Sequence, residues 1–389
     1  MTRHGGAHAL ADQIKSLYER DLKARVKAVA ATDRPSSYEA FTPEWLTQVL
    51  CAQAAGARVT GFELGPADDG STNRRRLFLT YNRAGVEAGL PSSAFCKASY
   101  DLANRLNLGL CGAAHGETMF YTRIRALLDI EAPRALYADY DPQSFASLVM
   151  LEDLTGEVEF CTDKTEIGWD RAAGMVALMA RYHAQMSEHP GLRTRRFGLP
   201  TLPEFWQNIE DLVFMKESSN RGFLAAADLI PEGVFRRFPE VWATTKRAIA
   251  LHDTLPHTLL HSDVHLKNWY VGGADRMGLG DWHCSCAGNW SRDFAYATSV
   301  ALTPENRRRW ETDLLRLYLS ESRHHGAPAV SFDEAWSLYR LQLFTALAFW
   351  TNTLCPSDLQ PANMQPQTAA REFIRRIACA IDDLQAFEA

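Results

Sequence analysis

The sequence predicts an α+β chain in two unequal lobes, a small strand-rich N-terminal lobe and a larger, mainly helical C-terminal one. Three observations lead there. The 389 residues exceed what a single hydrophobic core usually serves. Strand-like alternation dominates the stretch from Arg58 to Leu154, where it is punctuated by glycine, proline and aspartate. From Asp170 onward, apolar residues recur at helical intervals instead. The boundary falls near Leu154 to Gly156, which gives lobes of residues 1–154 and 155–389.

Composition narrows the class. With 46% hydrophobic and 23% charged residues the chain can bury a large core. A net charge of −6 gives no overall pull toward nucleic acid or an anionic membrane, so neither is expected as a partner. The eight cysteines are scattered through apolar contexts rather than spaced as a disulfide framework, which fits reduced thiols. The N-terminus lacks an apolar signal core, and no stretch reaches the roughly 18 uncharged apolar residues of a membrane span. A cytoplasmic protein is expected; oligomeric state leaves no mark in the sequence.

Taken in order, residues 8–30 carry a stripe of Leu10, Ile14, Leu17, Tyr18, Leu22 and Val26, which predicts a leading helix packed on the first lobe. Thr42 as N-cap with Pro43 at the first helical position opens a second helix over 44–53. Arg58–Leu64 and Arg75–Tyr81 read as a hairpin around the turn at 65–70. Glycines in such a turn let backbone amides approach phosphates, although most serve only the turn. Lys97 interrupts the apolar run Ser93–Tyr100. Such a lysine either snorkels from an edge strand or reaches a nucleotide's phosphates, held by a glutamate from a following helix. Glu117 is that glutamate, in the first turn of a helix over 117–128 with Phe120, Ile124, Leu127 and Leu128 on one face. The helix dipole alone also explains an acid there. The order of hairpin, lysine strand and glutamate helix favours a kinase. Strands over 132–138 and 145–154 complete the sheet.

The second lobe opens with a helix N-capped by Asp170, its core stripe formed by Met175, Leu178, Met179, Tyr182 and Met186. His183 reads as a satisfied core histidine. Two or three aromatic-rich helices over 204–250 are expected to shape an acceptor pocket, joined by Phe344, Phe349 and Trp350 from helices over 335–354 and 371–387. Between them lies His261–Asn268, HSDVHLKN, a polar loop between strand-like pieces, followed by Asp281. Two carboxylates and a carboxamide at this spacing suit phosphoryl transfer: Asp263 to orient and accept the proton of an attacking hydroxyl, and oxygen ligands for Mg²⁺. His283, Cys284 and Cys286 invite a zinc or thiol reading, but no second pair stands at the usual spacing to complete about four ligands.

HSDVHLKN with Asp281 resembles the aminoglycoside phosphotransferase and choline kinase-like superfamily, distant relatives of protein kinases. Glu117–Tyr121 and the segment SLVMLEDL ending at Leu154 resemble its ecdysteroid-kinase-like branch. The resemblance implies a protein-kinase-like fold with ATP and Mg²⁺ bound between the lobes. Asp263 would be the catalytic residue, and Asn268 and Asp281 would hold metal. It further implies that Gly70, Ser71, Thr72 and Asn73 cover the nucleotide and that Lys97, paired with Glu117, contacts phosphates. Backbone groups of Met150, Leu151 and Glu152 would meet adenine, and Asp293 would brace the catalytic loop. The chain departs from the family in having Ser262 where glycine is usual. It also has Trp282-His283 after the metal aspartate, a change expected to touch nothing catalytic. The resulting expectation is a kinase that transfers the γ-phosphate to a hydroxyl of a small-molecule acceptor. The apolar aromatics lean toward a bulky, steroid-like compound. The alternatives are an aminoglycoside or choline-type amino-alcohol kinase, or a nucleotide-binding pseudokinase.

Overall fold

The computed structural model describes residues 3–24, 26–362 and 364–389. Alternating apolar residues between 59 and 152 form one antiparallel sheet from β1 (Val59–Leu64), β2 (Asp68–Asp69), β3 (Asn73–Tyr81), β4 (Ser93–Ala98), β5 (Ala135–Tyr140) and β6 (Ser147–Glu152). The strand order is β1-β3-β4-β6-β5, with β2 on β3. In β3 the period-two pattern is plain: Leu77 and Leu79 are buried, whereas Phe78 between them is exposed. The buried face packs on Trp45 from the helix Pro43–Leu50, whose start is capped by Thr42 Oγ1 accepting from Trp45 N at 3.1 Å. Lys97 sits on β4, paired with Arg74 on one side and Val149 on the other. It is therefore on a central strand and not at an edge, and its side chain is buried.

The remainder is mainly helical, as the periodicity after residue 169 requires. The helix Phe332–Leu354 is its axis, packed against Met215–Ala225, Phe238–Ala250, Ser291–Ala301 and Gln367–Asp383. Two small antiparallel sheets are set into it. One contains β7 (Glu159–Phe160), β9 (Trp269–Val271) and β10 (Met277–Leu279); the other pairs β8 (Thr258–Leu260) with β11 (Cys286–Gly288). The loop 261–268 leaves β8 and enters β9, so its ends are anchored in both. No helix among the described residues is long and apolar enough to cross a membrane, and the cysteines are free.

Several elements differ from expectation, each for a local reason. The leading helix, Arg3–Ala24, ends earlier, leaving Val26 beyond it and 66% exposed. Its Ile14 packs with Leu202, Phe205 and Trp206 as well as Leu110, so the helix leans on the C-terminal helices rather than on the first lobe alone. The glutamate helix begins at Ala113, so Glu117 lies in its interior and not in its first turn, and the dipole does not account for it. It continues as a π-turn, Phe120–Ile124, which rotates Leu127 to the surface. Gly168, and not Asp170, caps the helix Trp169–Met186. Residues 202–250 fold as four helices, Leu202–Leu212, Met215–Ala225, Glu232–Arg236 and Phe238–Ala250, because Val213, Phe214 and Pro231 interrupt the pattern.

Candidate active site

The loop after β8 takes its shape from a buried acid. Asp293, in the first turn of the helix Ser291–Ala301, accepts from His261 N at 2.8 Å and Ser262 N at 2.9 Å, and from Tyr182 Oη at 2.7 Å. His183 Nε2 lies 3.3 Å from the same carboxylate and its Nδ1 2.8 Å from Tyr318 Oη, so it is the satisfied core histidine that was expected. Burial opposes charge on Asp293, but His183, His261 and Tyr182 around it hold its carboxyl below the ordinary range. Ser262 adopts φ +63°, a conformation that favours glycine and that the pull of Asp293 on two successive amides maintains. His261 then links the two acidic segments: its Nδ1 accepts from Asp263 N at 3.2 Å and its Nε2 donates to Gly280 O at 2.8 Å.

Asp263 emerges from this brace with its Oδ1 accepting from Tyr296 Oη at 2.9 Å. Asn268, five residues on, donates from Nδ2 to the Asp263 carbonyl at 2.7 Å. Asp281 follows β10 in a left-handed conformation, φ +62°, of the strained kind that collects at functional positions. Its carboxylate meets the Lys97 ammonium, which is 2.6 Å from Glu117 Oε1 on its other side. Strand, helix and loop residues up to 184 positions apart thus converge on one ion cluster.

A residue that the sequence reading passed over stands among them. His283 was expected to touch nothing catalytic; its Nδ1 is 2.6 Å from Asp281 Oδ1 and its Nε2 3.5 Å from Asp263 Oδ2. Burial works against charge on Lys97, Asp281 and His283 alike, yet their mutual attraction prevails. Asp281 is held well below the carboxylate range by His283 and Lys97, Lys97 is raised by Asp281 and Glu117, and His283 is raised by Asp281 and Cys284. The helix carrying Glu117 can lie this close because Gly116 faces the His283 carbonyl, where a Cβ would sit at 2.7 Å. The only sequence signal for His283 was its position two residues after Asp281.

Two cavities meet at the cluster. The larger, about 840 Å³, lies between the sheet and the helical part. Lys97, Asn268 and Asp281 line it, with Phe95, Pro133 and Leu151 on the sheet side and Phe160 and Tyr270 opposite. Gly70 and Ser71 reach this cleft, but Asn73 does not: its Oδ1 accepts from Tyr100 N and Asp101 N, and its Nδ2 donates to Asp101 Oδ2 at 2.8 Å. Thr72 beside it is buried. Met150 is buried in the sheet's own core, and the Glu152 amide donates to Arg134 O at 2.9 Å. Leu151 and Glu152 at the end of β6 line the cleft together with Asp153 and Leu154 just beyond it. Lys267 also lines the cleft, a cation inside the HSDVHLKN motif that was not singled out.

The smaller cavity, about 130 Å³, opens at Asp263 between the helices Leu202–Leu212 and Phe332–Leu354. Phe205, Phe349 and Trp350 line it. Phe344 does not; it packs on Phe387, with ring centroids 4.6 Å apart. Phe223, Phe235 and Phe238 stack on one another elsewhere. Asp263, His283 and Cys284 bring ligand atoms within 4.8 Å, and Cys286 is not part of that group. Three mixed ligands, one of them already bonded to Asp281, fall short of a closed thiolate zinc site. Asn268 and Asp281, by contrast, present the oxygen donors that suit Mg²⁺.

Residues 112–330 match the phosphotransferase enzyme family, APH. No curated protein matches the chain. Among solved structures, a microcompartment-associated aminopropanol kinase superposes over 84% of this chain and 93% of its own, at 13% identity and a TM-score of 0.50. An aminoglycoside phosphotransferase from Streptomyces rimosus, in complex with ADP and streptomycin, covers 72% and 94% at 14% identity and 0.44. The Plasmodium vivax ethanolamine kinase covers 82% and 81% at 10% identity and 0.45. At 13% identity the first likeness is one of fold.

Proposed function

Because the chain belongs to the phosphotransferase enzyme family and is a phosphotransferase acting on hydroxyl groups of small molecules, we propose that it transfers the γ-phosphate of ATP to an acceptor bound beside Asp263. One observation carries this reading. Lys97, held from behind by Glu117, and Asp281 line the larger cleft, Asp263 lines the smaller cavity, and Asp281 and His265 line both. A phosphoryl donor in one and a hydroxyl in the other would meet at that boundary.

In the proposed mechanism the adenine lies between Phe95, Pro133 and Leu151 on one side and Tyr270 and Phe160 on the other, with main-chain groups at Asp153 and Leu154 beside it. Lys97 and Lys267 meet phosphate oxygens, and Gly70 and Ser71 cover them. Asn268, through its Oδ1, and Asp281 would hold Mg²⁺, which when bound neutralises charge on the transferring phosphoryl group. Asp263 Oδ2 accepts the acceptor's hydroxyl proton as that oxygen forms a bond to the γ-phosphorus and the bridging P–O bond to ADP breaks. Tyr296 and the His261 brace fix the carboxylate, which matters because a loose transition state is served mainly by positioning and charge. Residues 1–154 and 155–389 act as the two lobes; β6 ending at Glu152 supports the boundary. The segments Glu117–Tyr121 and Leu151–Leu154 support a place in the ecdysteroid-kinase-like branch. The aromatics that suggested a steroid-sized acceptor are, apart from Phe205, Phe349 and Trp350, not in the cavity.

The test is ATP consumption with Mg²⁺ across hydroxylated compounds: aminoglycosides, amino alcohols, sugars, steroids and simple alcohols. Acceptor-dependent consumption that yields a phosphorylated acceptor is the expected outcome. ATP binding without transfer to any of them would favour a pseudokinase.

A further inference from the structure

The cavity at Asp263 carries information about what it admits. Among the described residues, its only carboxylates are Asp263 and Asp281, and no lysine or arginine lines it. Asp281 is fully engaged, and Asp263 through one oxygen. Asp281 has Lys97 and His283, while Asp263 has the Tyr296 hydroxyl, with the nearest nitrogens of His283 and His265 at 3.5 and 3.6 Å. An ammonium group entering here finds only the Asp263 Oδ2 already flanked by two imidazoles, and a carboxylate or phosphate finds no cation except His283, which Asp281 already pairs.

A second feature bears on cations alone. Tyr296 and Phe349 would make two walls of an aromatic cage, but the Arg292 guanidinium already lies over both, 4.6 and 4.8 Å from their ring centroids. Arg292 is completely buried; its Nη2 donates to Ser262 O at 3.1 Å, while its Nε and Nη1 have no hydrogen-bond partner. A ring whose quadrupole serves one cation has less to offer another, and two positive charges on either side of a low-dielectric wall repel.

A third feature asks for a hydrogen-bonding ligand. Trp350 Nε1 and Asn352 Oδ1, both from lining residues, are buried without a partner. One is a donor and the other an acceptor, and a buried polar atom left unpaired is destabilising. Around them, Phe205, Ile209, Val213 and Met215 are apolar. The volume, about 130 Å³, is close to the ~150 Å³ apolar cavity that takes up benzene.

We propose that this cavity takes an uncharged, compact alcohol of about one ring in bulk, apolar on one side and hydrogen-bonded to Trp350 and Asn352, in preference to an amine-bearing or anionic acceptor. The assignment rests on the phosphotransferase reading for which group reacts, but the binding preference is separable from it.

The experiment titrates the full chain with three probes of one shape, 2-phenylethanol, 2-phenylethylammonium and phenylacetate, following tryptophan fluorescence. The alcohol is expected to bind at least about tenfold more tightly than either charged probe, a difference of ~1.4 kcal/mol. Equal or tighter binding of a charged probe, or no binding of the alcohol at millimolar concentration, overturns the proposal. The near-isosteric Asn352→Asp variant places a carboxylate in the wall and is expected to reverse the order in favour of the ammonium probe. An unchanged order in a variant that melts like wild type counts against the assignment, and the wild-type comparison stands if the variant does not fold. Addition of ATP and Mg²⁺ separates the two readings. Alcohol binding without phosphate transfer to it or to any compound of the hydroxylated panel sinks the kinase reading and keeps this one, whereas transfer to ethanolamine or kanamycin but not to the alcohol does the reverse.

Discussion

His283 Nδ1 lies 2.6 Å from Asp281 Oδ1 while Nε2 of the same ring lies 3.5 Å from Asp263 Oδ2, so one imidazole spans the two carboxylates that the proposed reaction uses. Removing it leaves Asp281 with Lys97 as its remaining cation and takes a fixed neighbour from Asp263. His283→Ala is expected to lower kcat about 10–100-fold, the scale of a modest loss of positioning, with a smaller change in KM for ATP. His283→Gln, which retains an amide donor, is expected to recover part of that loss. Steady-state kinetics on both variants decides; an alanine variant with wild-type kcat removes His283 from the machinery.

Lys97 tests the nucleotide side of the cluster. Its ammonium is enclosed by Glu117 and Asp281, and Lys97→Met would leave the buried Glu117 carboxylate facing the half-buried Asp281. Breaking a buried pair by removing one partner costs about 3–5 kcal/mol. Chemical denaturation of Lys97→Met should show a loss of that order, and titration should show weakened ATP binding. The double variant Lys97→Met/Glu117→Gln is expected to regain stability but not nucleotide affinity. Full ATP affinity in either variant would exclude Lys97 from phosphate contact.

Buried neutral histidines set the acid limit of the fold. Burial depresses His252 to about 3, and its Nδ1 accepts from Asn289 N at 2.8 Å; burial also lowers His183. The unfolded chain, with these groups near ~6.5, binds more protons than the native one once the pH falls below that value. Their contribution to stability is therefore complete above pH ~6.5 and falls by about 1.4 kcal/mol per pH unit for each such histidine on the way down to its folded pKa. Urea midpoints from pH 7.5 to 4.5 should decline accordingly, and His252→Gln should flatten the slope while lowering stability at neutral pH. A midpoint independent of pH between 6.5 and 5 would contradict this.

What was legible in the sequence followed what each pattern encodes. Period-two and helical spacing located the sheet and the helices, and Asp293 could be named as the brace because a resemblance supplied its partner loop. Contacts between distant segments were not encoded locally. Lys97 taken alone read as an edge lysine, because one strand cannot reveal that both its sides are paired; only its order with the hairpin and Glu117 pointed to phosphates. Glu117 looked like a first-turn acid because Ala113 to Gly116 carry no start signal, although they form the helix that brings it in. Asn73 sat in the expected covering segment, yet its amide is drawn inward by the Tyr100 and Asp101 amides, a tertiary choice that turn chemistry does not report. His283 was missed because its role depends on the left-handed turn at Asp281 beside it.

The central claim is that Asp263 handles the acceptor's proton while the nucleotide is held by other groups. Single-turnover phosphate transfer and ATP binding, measured side by side for wild type and Asp263→Asn, test it most directly with the acceptor identified by the ATP-consumption panel. The account predicts a loss of transfer of at least about 10²–10⁴-fold, the range of general acid–base contributions, with ATP affinity within about twofold of wild type. Transfer near the wild-type rate in Asp263→Asn would contradict it.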